Sequence, residues 1–209
     1  MSIVLHDYWR SSASYRVRIA LEWKGLDYQR VDVSLLDGAQ RKAGYRIKNP
    51  QGFVPTLEID GKIFTQSLAI FDVLDARFKE PPLVSNDPDT RARQLAMALA
   101  IAADIHPLNN LRVLRYLKQE CGQEQDALDR WTRHWIAEGF AALEAMADDA
   151  PFLGGDRPAM PDMCLVPQMY NARRFETPLE AYPRLLAIDA RCNEIDAFKR
   201  ARPDVVKPA

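Results

Sequence analysis

Apolar positions repeat with two periods along this chain, and the change from one to the other falls at one place. Ile3-Val4-Leu5 is a short apolar run that predicts a buried strand, and after a serine-rich stretch Val17, Ala20, Leu21 and Lys24 share one helical face. Gly25 follows where a helix C-terminus favours glycine. Val31, Val33 and Leu35 then alternate, so the opening reads as a βαβ unit. An irregular or helical connection leads to Leu57 and Ile59, the turn dipeptide Asp60-Gly61 and then Ile63, which together spell a β-hairpin. Leu68, Phe71, Leu74 and Phe78 mark the next helix, with Ser67 at its N-cap. PPLVSNDPD, residues 81–89, reads as a linker.

Beyond that linker only helical spacing remains. Leu95, Leu99 and Ala102, then Leu108, Leu111 and Leu114, then Leu128, Trp131 and Trp135 outline long amphipathic helices, and two more patterns surround Leu165–Met169 and Leu185–Cys192. Pro107 should kink the first of them, because it has no N–H for the carbonyl four residues back. The pattern predicts an α/β domain over residues 1–81 followed by an all-α domain over residues 88–209.

Charge narrows the possible partners. With 28 basic and 29 acidic side chains the formal charge is −1 and no Lys/Arg block stands out, so neither nucleic acid nor an anionic membrane is expected to bind. No window approaches the roughly 18 apolar residues of a membrane span, and MSIVLHDYWR lacks the features of a secretory signal, so a soluble cytoplasmic protein is expected. Cys121, Cys164 and Cys192 are far apart with no C-x-x-C spacing, which indicates neither a disulfide framework nor a metal site.

Candidate chemistry gathers in the α/β part. Ser11, Ser12 and Ser14 fall between a strand and a helix, where unpaired N–H groups and the positive end of the helix dipole favour an anion. Plain N-capping explains the same pattern; the functional alternative is a hydroxyl that donates to a thiolate. Val54-Pro55 opens a strand, either as an ordinary trans proline or as a cis bond that leaves Val54 backbone groups for an extended ligand. Gln66-Ser67 at the next helix start offers donors suited to a carboxylate. His6 and His134 read as structural, and no Ser-His-Asp spacing argues for hydrolysis.

Five blocks taken together, SSASYRVRIALEWKG, NPQGFVPTLEIDG, QSLAIFDVLDARF, DIHPLNNLRVLRYL and CLVPQMYNARRF, resemble the zeta class of glutathione transferases over nearly the whole chain. The resemblance implies a thioredoxin-like N-terminal domain that binds glutathione, a helical C-terminal domain that completes a pocket for an acidic substrate, and a homodimer. It places the thiolate-stabilising serine at Ser11 with Ser12 beside it. It gives the cysteinyl part of glutathione to the Val54 backbone before Pro55, with Gln51 nearby, and the γ-glutamyl end to Gln66 and Ser67. His106, Asn109 and Asn110 match a helix that helps hold glutathione. Arg10, Arg112 and Arg174 match positions that meet the carboxylates of a small dicarboxylate substrate, with Arg173 the alternative if the register shifts by one. The implied reaction is glutathione-dependent cis–trans isomerisation of 4-maleylacetoacetate, with 3-maleylpyruvate isomerisation or transfer to electrophiles such as α-haloacids as alternatives.

Two departures from the family pattern stand out. Ala13 occupies a position usually held by cysteine, which weakens reactions that need a protein thiol to resolve a mixed disulfide while leaving isomerisation intact. Ala159 stands where a capping hydroxyl is common, three residues before Asp162, an absence worth about 1 kcal/mol that Pro161 partly offsets.

Overall fold

Strand β1 (Ile3–Asp7) forms from the first apolar run and runs into the turn that precedes α1 (Ser12–Trp23), whose Val17, Ile19, Ala20 and Leu21 are fully buried. β2 (Gln29–Asp32) lies parallel to β1, and Val33 adds a last bond to the Asp7 carbonyl. The alternation read through Leu35 ends there; Leu35 leaves the sheet and packs on a small cluster formed by Tyr8, Val33 and Val54. A 3₁₀ turn (Ala39–Arg41) and the one-turn helix α2 (Ala43–Arg46) make the connection to β3 (Thr56–Ile59) and β4 (Lys62–Thr65). Asp60 and Gly61 join these two strands, both at positive φ (49° and 77°), the geometry of a two-residue hairpin turn.

The sheet order is β2-β1-β3-β4, with β1 antiparallel to β3 so that Ile3 faces Ile59 and Leu5 faces Leu57. After β4 comes α3 (Ser67–Arg77). Ser67 is its first residue rather than its cap. The cap position is Gln66, at φ 67°, and the Ser67 hydroxyl accepts from Arg16 Nη1 of α1 at 3.4 Å instead of from its own helix.

The computed structural model describes residues 1–208, which form two compact units: the elements above together with residues from Glu194 onward, and Val84–Asn193. In the second unit α4 (Pro88–Leu99) begins inside the expected linker, because Asp87 caps it by accepting from the Thr90 N–H and hydroxyl and Pro88 fits the first turn. A π-helical turn (Ala100–Ile105) leads into α5 (His106–Leu108), the chain breaks at Asn109-Asn110, and α6 (Leu111–Gln119) follows. The expected kink at Pro107 thus takes the form of a widened turn just ahead of it and a break just after.

α7 (Gln125–Met146) packs on this turn; a Cβ on its Gly139 would overlap the Ile105 side chain, so glycine permits the close approach. α8 (Met160–Arg174) runs through the centre of the unit and α9 (Pro183–Asn193) covers it. At the start of α8, Ala159 offers no side-chain acceptor, but the fully buried Asp162 carboxylate accepts from the Leu153, Gly154 and Ala159 N–H groups at 2.8–2.9 Å. Burial pushes this carboxyl up to about 6 against the pull of those three donors.

The last two helices, α10 (Asp196–Arg200) and α11 (Pro203–Val206), belong with the first unit, although helical spacing alone assigns residues up to 209 to the helical part. Two arginines explain the difference. Arg18 of α1 donates to the Ala201 carbonyl at 3.0 Å, and Arg30 of β2 donates to the Val206 carbonyl at 2.7 Å. No helix among the described residues is long and apolar enough to cross a membrane.

Candidate functional site

In the first unit the scaffold begins at Asp7, the last residue of β1 and fully buried. Arg18, also fully buried, donates to it at 2.7 Å, and Arg30 donates at 3.0 Å. Burial pulls the Arg18 guanidinium below its ordinary range, while the adjacent Asp7 charge pushes the other way. Arg18 spends a third N–H on the Trp9 carbonyl at 2.9 Å, so the buried ion cluster fixes the turn that leads to Arg10 and Ser11.

Ser11 caps α1 in extended backbone geometry, accepting from the Ser14 N–H at 3.3 Å. A hydroxyl that accepts one bond still has its own O–H to donate. The first turn of α1 carries no acidic residue that would offset the positive end of its dipole. Capping therefore does not use up the O–H of this hydroxyl. Ser12 is buried beside it, while Ala13 is only partly covered.

The Val54-Pro55 peptide is cis, and both residues precede the first ladder pair at Thr56. Val54 is buried with Tyr8, and Trp9 packs against that same cluster, so one patch of apolar contact ties the Ser11 turn to the Val54 loop. The loop is held from below. Tyr45 donates to the Phe53 carbonyl at 2.6 Å and is 2.8 Å from the Thr56 hydroxyl, and the buried Asn49 amide donates to the same carbonyl at 2.9 Å. Asn49 Oδ1 also accepts from the Gln51 N–H. Gly52 is required within this turn: its φ is 66° and a Cβ would come 2.9 Å from the Gln40 carbonyl oxygen.

Gln51 and Gln66 meet at the surface, Gln66 Nε2 donating to Gln51 Oε1 at 2.8 Å. Gln66 adopts positive φ at the start of α3, whose first turn is also free of acidic residues, and Ser67 is buried behind it. The first unit thus assembles a hydroxyl donor, an amide pair, a helix N-terminus and an extended segment outside the ladder. Such a set suits an anionic ligand with an extended peptide backbone.

In the second unit the sequence-selected polar residues surround the break between α5 and α6. Asn110 caps α6 by accepting from the Arg112 N–H at 3.1 Å, and its amide nitrogen is 3.4 Å from His106 Nε2. The buried Asn109 accepts from Asn171 Nδ2 at 3.4 Å, and Asn171 Oδ1 in turn accepts from Arg174 Nη1 at 3.2 Å. Trp131 donates to the Leu108 carbonyl at 2.7 Å and steadies the break. Arg112 lies exposed on α6, three residues after Asn109. Arg173, the alternative to Arg174, forms an ion pair at 2.6 Å with the buried Asp189.

Asn171 has no place in the sequence reading, although it stands three residues before Arg174, on the same helical face, and that spacing was the signal available. Asp7, Arg18 and Arg30 were missed as well. Their only sign was two arginines set among the aliphatics of α1, a pattern more often read as helix surface.

Residues 5–82 match the family described as glutathione S-transferase, N-terminal domain. The maleylacetoacetate isomerase of Rhizobium meliloti is 50% identical over 208 residues, covering 98% of each chain. A solved holo structure of maleyl pyruvate isomerase, described as a bacterial glutathione S-transferase of the zeta class, superposes with a TM-score of 0.96 at 39% identity and covers 99% of both chains. A maleylacetoacetate isomerase from Methylobacterium extorquens AM1, solved with bound malonate and glutathione, gives a TM-score of 0.95 at 35% identity, covering 99% of this chain and 100% of that one. With half its residues identical to one such isomerase from end to end, and a thioredoxin-like unit joined to a helical one, the chain belongs to the zeta class of glutathione transferases, the family of the maleylacetoacetate isomerases.

Proposed function

We propose that this chain is a cytoplasmic, homodimeric, glutathione-dependent isomerase that converts 4-maleylacetoacetate to 4-fumarylacetoacetate. The observation that carries the reading is the state of Ser11, whose oxygen is occupied by capping while its O–H remains to donate at an uncompensated helix N-terminus. When bound, glutathione supplies a thiol that adds reversibly to the conjugated cis double bond, makes it single long enough to rotate, and is recovered unchanged.

The chain's own residues do the rest. Ser11 and the first N–H groups of α1 hold the sulfur in its anionic form at neutral pH. Gln51, Gln66 and Ser67 bind the γ-glutamyl end, and the backbone at Val54 and Pro55 aligns the cysteinyl part. His106, Asn109 and Asn110 are assigned supporting contacts to glutathione. Arg10, Arg112 and Arg174 take the substrate carboxylates, where a guanidinium offers two parallel donors and offsets the negative charge that develops during addition. The pairing of Arg173 with Asp189 supports Arg174 as the arginine that meets substrate. Malonate bound together with glutathione in the Methylobacterium relative supports a small dicarboxylate as the substrate class.

Maleylpyruvate is the second substrate to consider, since the relative with a TM-score of 0.96 carries that name. Purified protein should be given each maleyl acid with and without glutathione, following the cis isomer and the glutathione concentration together. Rapid loss of the cis isomer that requires glutathione and leaves its concentration constant is the expected result, and the faster substrate identifies the physiological one. Glutathione consumed in step with substrate would convert the reading to conjugation.

A further inference from the structure

Trp9 carries two cations on its indole. Arg10 Cζ lies 5.4 Å from the ring centroid and Lys207 Nζ lies 5.4 Å from it as well, so the two charges are within about 11 Å of each other. Each is attracted by the ring quadrupole at that distance, and the two like charges repel one another. Among the described residues no acidic side chain forms an ion pair with either.

Neither position is a matter of a loose side chain alone. The Asp7 cluster reaches both: Arg18 holds the Trp9 carbonyl, and Arg30 holds the carbonyl of Val206, the residue immediately before Lys207. Arg18 also grips Ala201 at the start of the same tail. One buried carboxylate therefore fixes the backbone next to both Arg10 and Lys207.

From this juxtaposition we infer that Arg10 and Lys207 form a two-cation carboxylate site on Trp9, with Lys207 a substrate-binding residue contributed by the C-terminal tail. The site takes one carboxylate of the acidic substrate, Arg10 through its planar fork and Lys207 as a point charge. The inference rests on the proposed isomerase reading, and on its assignment of Arg10 to a substrate carboxylate.

Lys207 is exposed, and a surface substitution there is expected to leave the fold intact. Lys207→Gln, Lys207→Arg and Arg10→Ala should be compared for KM with the maleyl substrate, and for the dissociation constants of malonate and of glutathione measured by calorimetry. Lys207→Gln is expected to raise KM and the malonate constant about threefold to tenfold, more than it changes kcat, with Lys207→Arg close to the parent. The difference between Lys207→Gln and parent should shrink at high salt. An unchanged malonate constant in Lys207→Gln, while Arg10→Ala raises it, overturns the role of the tail and leaves the Arg10 assignment standing. No change in either variant removes the carboxylate assignment itself. A shift confined to glutathione also overturns the inference, since it would move the site to the tripeptide.

Discussion

Each unit is built around one fully buried carboxylate, and the two are neutralised in opposite ways. Asp7 in the first unit has two guanidiniums within 3.0 Å, and those arginines carry the connection onward to Trp9, Ala201 and Val206. Asp162 in the second unit has three backbone N–H donors and no cation, and what it holds is the local turn before α8. A charge paired with charges organises distant segments but cannot lose a partner cheaply. A charge held only by backbone dipoles organises its own loop and can be neutralised by a proton.

The contrast can be broken most violently at Asp7. Asp7→Ala leaves Arg18 charged and fully buried without a counterion, and should cost about 3–5 kcal/mol, read as a large fall in denaturation midpoint. Loss of only a few tenths would mean that the arginines repartner and that the cluster is not the scaffold described.

Asp162 should show itself through pH instead. Its folded value of about 6 lies above the ordinary 3.8, so between those values the folded state binds more protons than the unfolded one. Its contribution is full below 3.8 and is lost as pH rises through about 6, a change on the order of 3 kcal/mol. Stability profiles of the parent and Asp162→Asn should therefore diverge in slope across that window. Parallel profiles would show that the three N–H bonds keep the carboxylate ionised.

Function tests the same contrast on a smaller scale. Ser11→Ala should lower isomerase turnover by about 100-fold, as loss of a donor to a reacting anion does, and cost about 1 kcal/mol through the lost cap. Ser11→Asp restores the cap without restoring the donor, so it should recover stability and not turnover. Turnover recovering with the cap would reduce Ser11 to a structural residue.

In the second unit Asn171→Ala should raise the substrate KM about fivefold to tenfold by releasing Arg174, with kcat little changed. Asn171→Asp keeps the acceptor and should rescue most of the loss. In an Arg174→Ala background the same change should add almost nothing, because both residues act through one contact.

The parts of the fold that follow from local chemistry were legible in advance. Asp60-Gly61 specifies a two-residue turn because both positions need positive φ, and Gly25 closes α1 for a similar reason. The serine cluster was readable as the start of α1 because helix starts leave N–H groups that a cap can satisfy. What escaped was whatever depends on partners distant in sequence. Nothing near Arg18 announces Asp7 as its counterion or the Ala201 carbonyl as its second acceptor, and so the tail from Glu194 onward was assigned by its helical spacing to the wrong neighbours. Ser67 was misplaced by one residue because Gln66, a poor capping residue, takes that position with an unusual backbone angle. The relay from Asn109 through Asn171 to Arg174 spans two helices, and neither helix alone reveals it.

The π-helical turn at Ala100–Ile105 sets the rotational phase of everything that follows it up to the break at Asn109. An α-helix advances about 100° per residue and a π turn less, so rewinding these same residues as regular α-helix, with none deleted, would swing His106 and Asn109 roughly a quarter of the way around the axis. Asn109 would leave Asn171, and the α5–α6 break would present a different set of side chains with no change in the composition of the break itself. The winding of this one turn is thus a coarse dial on which polar groups this unit offers.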